Sequence, residues 1–123
     1  MTTVVLAEDG HDYARIVLAV LKKNDLNVLW FQTGTDAYDY LINNPQPALL
    51  ITDVMMPGMS GFELIARLKE QGMMPPTIVL TGKQRDEDVL RGLEFGVQDY
   101  ITKPFSPSVL LAKVKNALSR RAA

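Results

Sequence analysis

The sequence predicts an α/β protein with a doubly wound, five-stranded parallel sheet in the order 2-1-3-4-5 and helices on both faces. Apolar runs typical of strands alternate five times with segments whose apolar residues recur at helical spacing. The run 48–53 carries apolar residues on both faces and ends in a carboxylate, which is typical of a central strand buried on both sides. Polar residues follow four of the five strands, at ends that a parallel topology brings to one edge.

The first half of the chain supplies three strands and two helices. An acidic pair before Gly10 ends the first strand, and Thr35 is the predicted N-cap of the second helix. Two prolines, Pro45 and Pro47, break the chain before the central strand. The predicted elements are β1 (4–7), α1 (about 12–23), β2 (28–31), α2 (about 35–42) and β3 (48–53).

The second half continues the alternation of helix and strand. Ser60 and Ser106 are predicted N-caps, and Pro107 suits the first position of a helix. Gly72 and Gly96 follow the ends of two predicted helices. The predicted elements are α3 (about 61–71), β4 (77–80), α4 (about 86–95), β5 (97–102) and α5 (from about 107).

Composition restricts the class of protein. The chain has 123 residues and 47% hydrophobic content, enough for one packed core, so we expect a single domain over 1–123. Lys and Arg number 13 against 14 for Asp and Glu, which argues against direct nucleic-acid binding. Cysteine is absent, and neither a signal peptide nor an apolar run of membrane-spanning length is present. These features predict a cytoplasmic protein that does not bind a membrane.

The polar residues at the strand ends form a set with specific chemistry. Glu8 and Asp9 follow β1, Asp53 ends β3, Thr81 follows β4 and Lys103 follows β5. In the order 2-1-3-4-5, strands β1 and β3 are neighbours, so the carboxylates of Asp9 and Asp53 lie side by side. Unit charges about 4 Å apart interact by roughly 4 kcal/mol at a protein surface, so the cluster needs countercharge. A lysine and a divalent cation that prefers oxygen ligands, Mg²⁺ or Mn²⁺, would supply it.

These groups suit phosphoryl transfer to an aspartate. A carboxylate such as Asp53 can accept a phosphoryl group and form an aspartyl-phosphate. A metal ion and Lys103 would neutralise charge on the transferring group, and the Thr81 hydroxyl could donate to one of its oxygens.

The same residues carry a resemblance that covers essentially the whole chain. They are the Glu8-Asp9 pair, Asp53 before the run MMPGMSG at 55–61, Thr81, and the run DYITKPF at 99–105. This set resembles the receiver domain of bacterial response regulators in two-component signalling, which has a flavodoxin-like fold. The stretch 86–121 is closest in pattern to the receivers of winged-helix transcription factors.

The resemblance implies a role for each matching residue. Asp53 would accept phosphate from the phosphohistidine of a sensor histidine kinase. Asp9, Asp53 and the main-chain carbonyl of Met55 would bind Mg²⁺ or Mn²⁺, with Glu8 acting largely through water. Lys103 would contact the phosphoryl group. The protein would not be an enzyme, because it would assist only its own phosphorylation and dephosphorylation.

The resemblance also implies how the signal leaves the site. Thr81 would move toward the phosphate and Tyr100 would swing inward behind it, changing the surface of α4, β5 and α5. That surface would control an output domain or downstream protein and could form a phosphorylation-dependent homodimer. The Lys103-Pro104 peptide would be cis, and a linker to an output domain would begin at about 119–123.

Three further positions concern the lifetime of the phosphate in this family. Met55 and Lys83 lie two residues beyond the acceptor and the threonine, where the family modulates that lifetime. Gly82 stands where alanine is more common, which leaves room for the phosphate and loosens the loop.

Three other functions are compatible with the predicted architecture. A flavodoxin-like electron carrier would need hydroxyls and amides after β1, where Glu8 and Asp9 would repel a cofactor phosphate. A phosphatase with an aspartyl nucleophile commonly has an acid two residues beyond it, where this chain has Met55. A pseudo-receiver would bind partners without phosphorylation, although every acceptor residue is present.

Overall fold

The computed structural model describes residues 2–82 and 94–122 of the chain. Most of predicted α4, together with Lys83, lies outside the described residues. The remaining elements are observed, and their bounds are β1 Thr3–Ala7, α1 His11–Lys23, β2 Asn27–Phe31, α2 Gly34–Asn43, β3 Leu49–Asp53, α3 Gly61–Glu70, β4 Thr77–Thr81, β5 Asp99–Thr102 and α5 Pro107–Ala122.

The five strands form one parallel sheet in the order β2-β1-β3-β4-β5, which confirms the predicted topology. The register aligns Ala7 of β1 with Thr52 of β3, and Asp53 with Leu80 of β4. Thr81 in turn lies opposite Thr102 of β5. The carboxyl ends of β1, β3, β4 and β5 therefore reach the same edge of the sheet.

Helices cover both faces of the sheet because successive residues of each strand point to opposite sides. Leu49 and Ile51 of β3 pack in a core with α1 and α5, whereas Leu50 packs in a second core with α2 and α3. All three side chains are fully buried. β3 is thus the doubly buried central strand that its apolar sequence predicts. No helix among residues 2–82 and 94–122 has the length and apolar character needed to cross a membrane.

Several element boundaries differ from those predicted. Thr33, not Thr35, caps α2, because its backbone is extended and its hydroxyl accepts a hydrogen bond from the Asp36 amide. α1 begins at His11, one residue earlier than expected, so His11 is an exposed helical residue and not a loop residue. β5 begins at Asp99 and is two residues shorter than expected. The caps of α3 and α5 at Ser60 and Ser106 are confirmed.

Two glycines allow helices to approach the loops that follow the central strand. A Cβ atom on Gly61 would lie 2.0 Å from the carbonyl oxygen of Asp53, and one on Gly34 would lie 2.0 Å from that of Met59. The Gly61 amide also donates to the Val54 carbonyl at 2.8 Å. Gly61 therefore holds the first turn of α3 directly against the end of β3, where Asp53 lies.

This close approach predicts that Gly61→Ala destabilises the protein. The added methyl group would overlap backbone, which cannot give way as a flexible side chain does, so we expect a loss of about 2 kcal/mol or more in the free energy of unfolding. Gly82→Ala is the matched control, because its Cβ would meet no atom of the described residues within 4 Å. That variant should stay within about 1 kcal/mol of the wild type in urea denaturation. Equal stability of the two variants would contradict the packing described.

Candidate acidic site at the sheet edge

The structure brings together four of the residues that the sequence places at the strand ends. One carboxylate oxygen from each of Glu8, Asp9 and Asp53 lies within 4.8 Å of the others. The Lys103 Nζ lies 2.6 Å from Glu8 Oε1 and 3.1 Å from Asp53 Oδ2. The predicted proximity of these residues is confirmed, with the lysine between two of the carboxylates.

Asp53 is the last residue of β3, and the local backbone orients its side chain. Its Oδ1 accepts a hydrogen bond from the Val54 amide at 2.8 Å, while Oδ2 faces the Lys103 ammonium. The residue is 8% exposed, so a small part of its surface remains open to solvent. Asp53 thus combines a fixed orientation with access from outside, which a nucleophile toward an external phosphoryl donor requires.

Glu8 is a buried carboxyl group that directly follows β1. It is 0% exposed, and its Oε2 accepts a hydrogen bond from the Gly10 amide at 2.9 Å. Burial, and to a smaller extent the nearby Asp53 charge, raises the pKa of Glu8 to about 7 against the opposing effect of hydrogen bonds from Lys103 and Gly10. At neutral pH both the protonated and the charged forms of the Glu8 carboxyl group are therefore populated.

Lys103 follows β5 and is fixed at both its backbone and its side chain. The Lys103-Pro104 peptide is cis, as expected, and the Lys103 amide donates to the Thr81 carbonyl at 2.7 Å. Burial alone would lower the pKa of the ammonium group, but its hydrogen bond to Glu8 and the charges of Asp53 and Glu8 raise that pKa above its ordinary value. The Nζ also lies 4.5 Å from the centroid of the Tyr13 ring, a cation–π contact. Lys103 is therefore held in its charged form.

The remaining predicted residues lie around this cluster. Thr81 is 4% exposed at the end of β4, one residue beyond the register partner of Asp53. Tyr100 is 9% exposed and packs with Phe62, Ile65 and Val79. Of the positions predicted to modulate the phosphate lifetime, Met55 is 76% exposed and Gly82 is also exposed. The third, Lys83, lies outside the described residues.

The donor set fits a hard divalent cation. Within the described residues, three carboxylates lie around the Lys103 ammonium group, so these four groups keep an excess of negative charge whether or not Glu8 is ionised. The buried Glu8 Oε1 faces the Lys103 ammonium group, and no other group in the described part of the chain donates a hydrogen bond to it. Oxygen-only donors of this kind suit Mg²⁺, which typically takes one or two carboxylates and keeps several waters.

Sequence reasoning missed two aromatic residues that contact the site. Tyr13 lies beside the Lys103 ammonium, and the Trp30 indole donates to the Glu8 carbonyl at 2.8 Å. The apolar pattern identifies Tyr13 only as part of the stripe of α1 and does not assign Trp30 to the site. The signal available for Trp30 is its position one residue before the end of β2, since β2 lies beside the strand that delivers Glu8.

The raised pKa of Glu8 predicts a pH-dependent contribution to stability. The folded protein binds more protons at Glu8 than the unfolded chain does between the ordinary pKa of 4.5 and the folded pKa of about 7. Without divalent cations, the free energy of unfolding should therefore fall across that interval as pH rises, relative to Glu8→Gln. Urea denaturation in EDTA at several pH values measures this difference.

Glu70→Gln, at an exposed site, is the control and should follow the wild type. Parallel pH profiles for wild type and Glu8→Gln would refute the effect of burial on Glu8.

Comparison with known proteins agrees with this geometry. A family model described as the response regulator receiver domain matches residues 4–115. The phosphate regulon transcriptional regulatory protein PhoB of Escherichia coli is 38% identical over 119 residues, which cover 95% of this chain and 52% of that protein. The chain thus spans about half the length of this curated relative.

Solved structures give the same result. The receiver domain of the Francisella response regulator 1452 has a TM-score of 0.88 and 29% identity, with 98% of each chain covered. Response regulator DrrB of Thermotoga maritima, an OmpR/PhoB homologue, has a TM-score of 0.83 and 36% identity, covering 98% of this chain and 54% of that one. Sequence, fold and site agree, and the chain belongs to the receiver-domain family of two-component response regulators.

Proposed function

We propose that this receiver domain is a switch in which Asp53 accepts a phosphoryl group. One observation carries the proposal: Asp53 lies at the end of the central strand, with Lys103 Nζ 3.1 Å from its Oδ2. Two further carboxylates provide oxygens within 4.8 Å of those of Asp53, so the acceptor lies in a pocket of charges suited to phosphoryl chemistry.

The transfer would proceed by attack of an Asp53 carboxylate oxygen on the phosphorus of a kinase phosphohistidine. A phosphorus–oxygen bond forms as the phosphorus–nitrogen bond breaks, and the electron pair of that bond returns to the histidine. The hydrogen bond from the Val54 amide keeps the carboxylate oriented during attack. The Lys103 ammonium, held near Asp53 and kept charged by its neighbours, stabilises negative charge on the phosphoryl oxygens.

Asp9 and Asp53, with the main-chain carbonyl of Met55, would hold Mg²⁺ or Mn²⁺, and Glu8 would act largely through water. The bound cation would neutralise oxygen charge on the phosphoryl group. The excess of carboxylates over ammonium groups supports this assignment. Asp9 is exposed, so the cation would have access from solvent. We also propose that Met55 and Lys83 influence the lifetime of the phosphate.

The switch would link the acceptor to the surface formed by β5 and α5. Lys103 connects the site to β4, since its amide donates to the Thr81 carbonyl. Thr81 would move toward the phosphate, and Tyr100 would occupy the space behind it. Phosphorylation would act by a population shift, favouring one of two conformations that the chain already adopts.

A groove of about 330 Å³ lies on the output side of this linkage. It is lined by Tyr100, Pro104, Phe105 and Val109, among others. Tyr100 therefore forms part of its wall, and Pro104 directly follows Lys103 in the chain. Lys113 joins α5 to β5 through contacts with the Asp99 carboxylate at 3.0 Å and the Tyr100 carbonyl at 2.7 Å. A change at Tyr100 would therefore reach α5.

We propose the following partners for the domain, which extends over 1–123. A sensor histidine kinase would supply the phosphoryl group, and an output domain joined by a linker that begins at about 119–123, or a separate protein, would receive the signal. A phosphorylated homodimer through β5 and α5 is a third arrangement. The domain would be regulatory, assisting only its own phosphorylation and dephosphorylation.

The acceptor assignment predicts that Asp53→Asn abolishes labelling by acetyl phosphate. We expect one Mg²⁺-dependent phosphoryl adduct on the wild type by intact mass, and none on the variant or in EDTA. Asp39→Asn, which changes an exposed aspartate of α2, is the matched control and should label as the wild type does. Stoichiometric labelling of Asp53→Asn would overturn the assignment. Amide NMR shifts of the same samples test the switch, because phosphorylation should perturb β5 and α5 in the wild type and in Asp39→Asn but not in Asp53→Asn.

A further inference from the structure

Trp30 contacts the acidic site through the backbone. Its indole N–H donates to the Glu8 carbonyl oxygen at 2.8 Å. That carbonyl belongs to the peptide group joining Glu8 to Asp9. This one hydrogen bond therefore acts on the peptide group between Glu8 and Asp9, which carry two of the three clustered carboxylates.

This hydrogen bond extends the sheet beyond its last backbone pairing on that side. The register pairs Leu6 with Trp30 and Ala7 with Phe31, and the Glu8 amide then donates to the Phe31 carbonyl at 3.0 Å. β2 ends at Phe31, and the Trp30 side chain supplies a donor for the carbonyl of Glu8. Since Glu8 is 0% exposed, loss of that donor would leave a poorly solvated carbonyl, which favours rearrangement of the peptide.

The indole ring is itself held in position. It packs against the core formed with α1 and α5. The His11 ring contacts it edge-on, with centroids 5.3 Å apart and an interplanar angle of 86°. Glu8, Asp9 and Gly10 form the loop between β1 and α1, and His11 is the first residue of α1. Trp30 therefore contacts the first residue of this loop and the residue that directly follows it. The donor thus approaches Glu8 from a fixed direction.

We propose that Trp30 is a positioning residue for cation binding at the acidic site. By fixing the Glu8–Asp9 peptide, it sets the direction from which both carboxylates approach a cation, a role that outer hydrogen bonds commonly serve around metal ligands. The inference rests on the proposed function, because it takes Mg²⁺ as the cation. It assigns Trp30 no contact with the cation or the phosphoryl group.

The chain permits a test at the level of one atom, because Trp30 is its only tryptophan. Biosynthetic replacement by β-(3-benzothienyl)alanine exchanges the indole N–H for sulfur and keeps the shape of the ring. Replacement by 5-fluorotryptophan keeps the N–H and adds a fluorine signal. We expect the benzothienyl protein to bind Mg²⁺ about threefold or more weakly by calorimetry, as loss of one oriented hydrogen bond implies. The fluorotryptophan protein should bind as the wild type does.

Two further measurements separate positioning from a general loss of stability. Affinities are compared where urea denaturation shows each protein to be fully folded. Tyr38→Phe is the matched control, since it removes a ring hydroxyl that bonds to Gln71, between α2 and the end of α3. That variant should keep the wild-type Mg²⁺ affinity even if its stability falls. The ¹⁹F resonance at Trp30 should also shift during Mg²⁺ titration with the midpoint found by calorimetry.

Each outcome bears on the proposal. Equal Mg²⁺ affinity of the benzothienyl and wild-type proteins would overturn the role of Trp30, and phosphorylation of Asp53 in the same samples would show that the proposed function survives. Weaker Mg²⁺ binding by the benzothienyl protein, with no phosphorylation of Asp53 in any sample, would support the positioning role and contradict the proposed function. Failure of the wild type to bind Mg²⁺ would overturn both.

Discussion

The contact of Lys103 with two carboxylates is the interaction on which the rest of the site depends. Its Nζ lies 2.6 Å from Glu8 and 3.1 Å from Asp53, so one ammonium group joins the ends of β1, β3 and β5. Charges in such buried positions persist only when they are paired, because desolvation penalises each of them alone. Within the part of the chain that the structure describes, the charge of Lys103 does not balance the three carboxylates, since Asp9 completes the cluster. The residual negative charge is what makes the site suited to a cation and, with that cation, to a phosphoryl group.

The packing around the site converts this charge arrangement into a fixed geometry. Gly61 brings α3 against the carbonyl of Asp53, and the Val54 amide orients the carboxylate. On the opposite side of the cluster, the Trp30 indole holds the peptide that follows Glu8. The Lys103 amide donates a hydrogen bond to the Thr81 carbonyl of β4, which fixes the lysine backbone. The lysine thus lies beside the strands through which the signal is proposed to reach Tyr100 and α5. The proposed cation site and the proposed route of the signal thus meet at Lys103.

The sequence allowed prediction of the topology and of the cluster because both follow from the order of strands and their apolar patterns. It did not locate the cap of α2, since Thr33 and Thr35 are chemically equal candidates and packing at Gly34 decides between them. The contacts of Trp30 and Tyr13 were also missed, because a hydrogen bond or ring contact between separate elements depends on register and rotamer. Helical or strand periodicity contains no information about either.

The most direct test of Asp53 as the acceptor is the location of the phosphoryl group on the chain. Substitution can abolish labelling indirectly, whereas reduction of the acyl phosphate by borohydride converts the modified aspartate to homoserine, which peptide mapping can place. We predict homoserine at Asp53 alone after reaction with acetyl phosphate and Mg²⁺, because Asp53 is both oriented by Val54 and adjacent to Lys103. Modification at Asp9, or at an aspartate outside the cluster, would contradict this assignment.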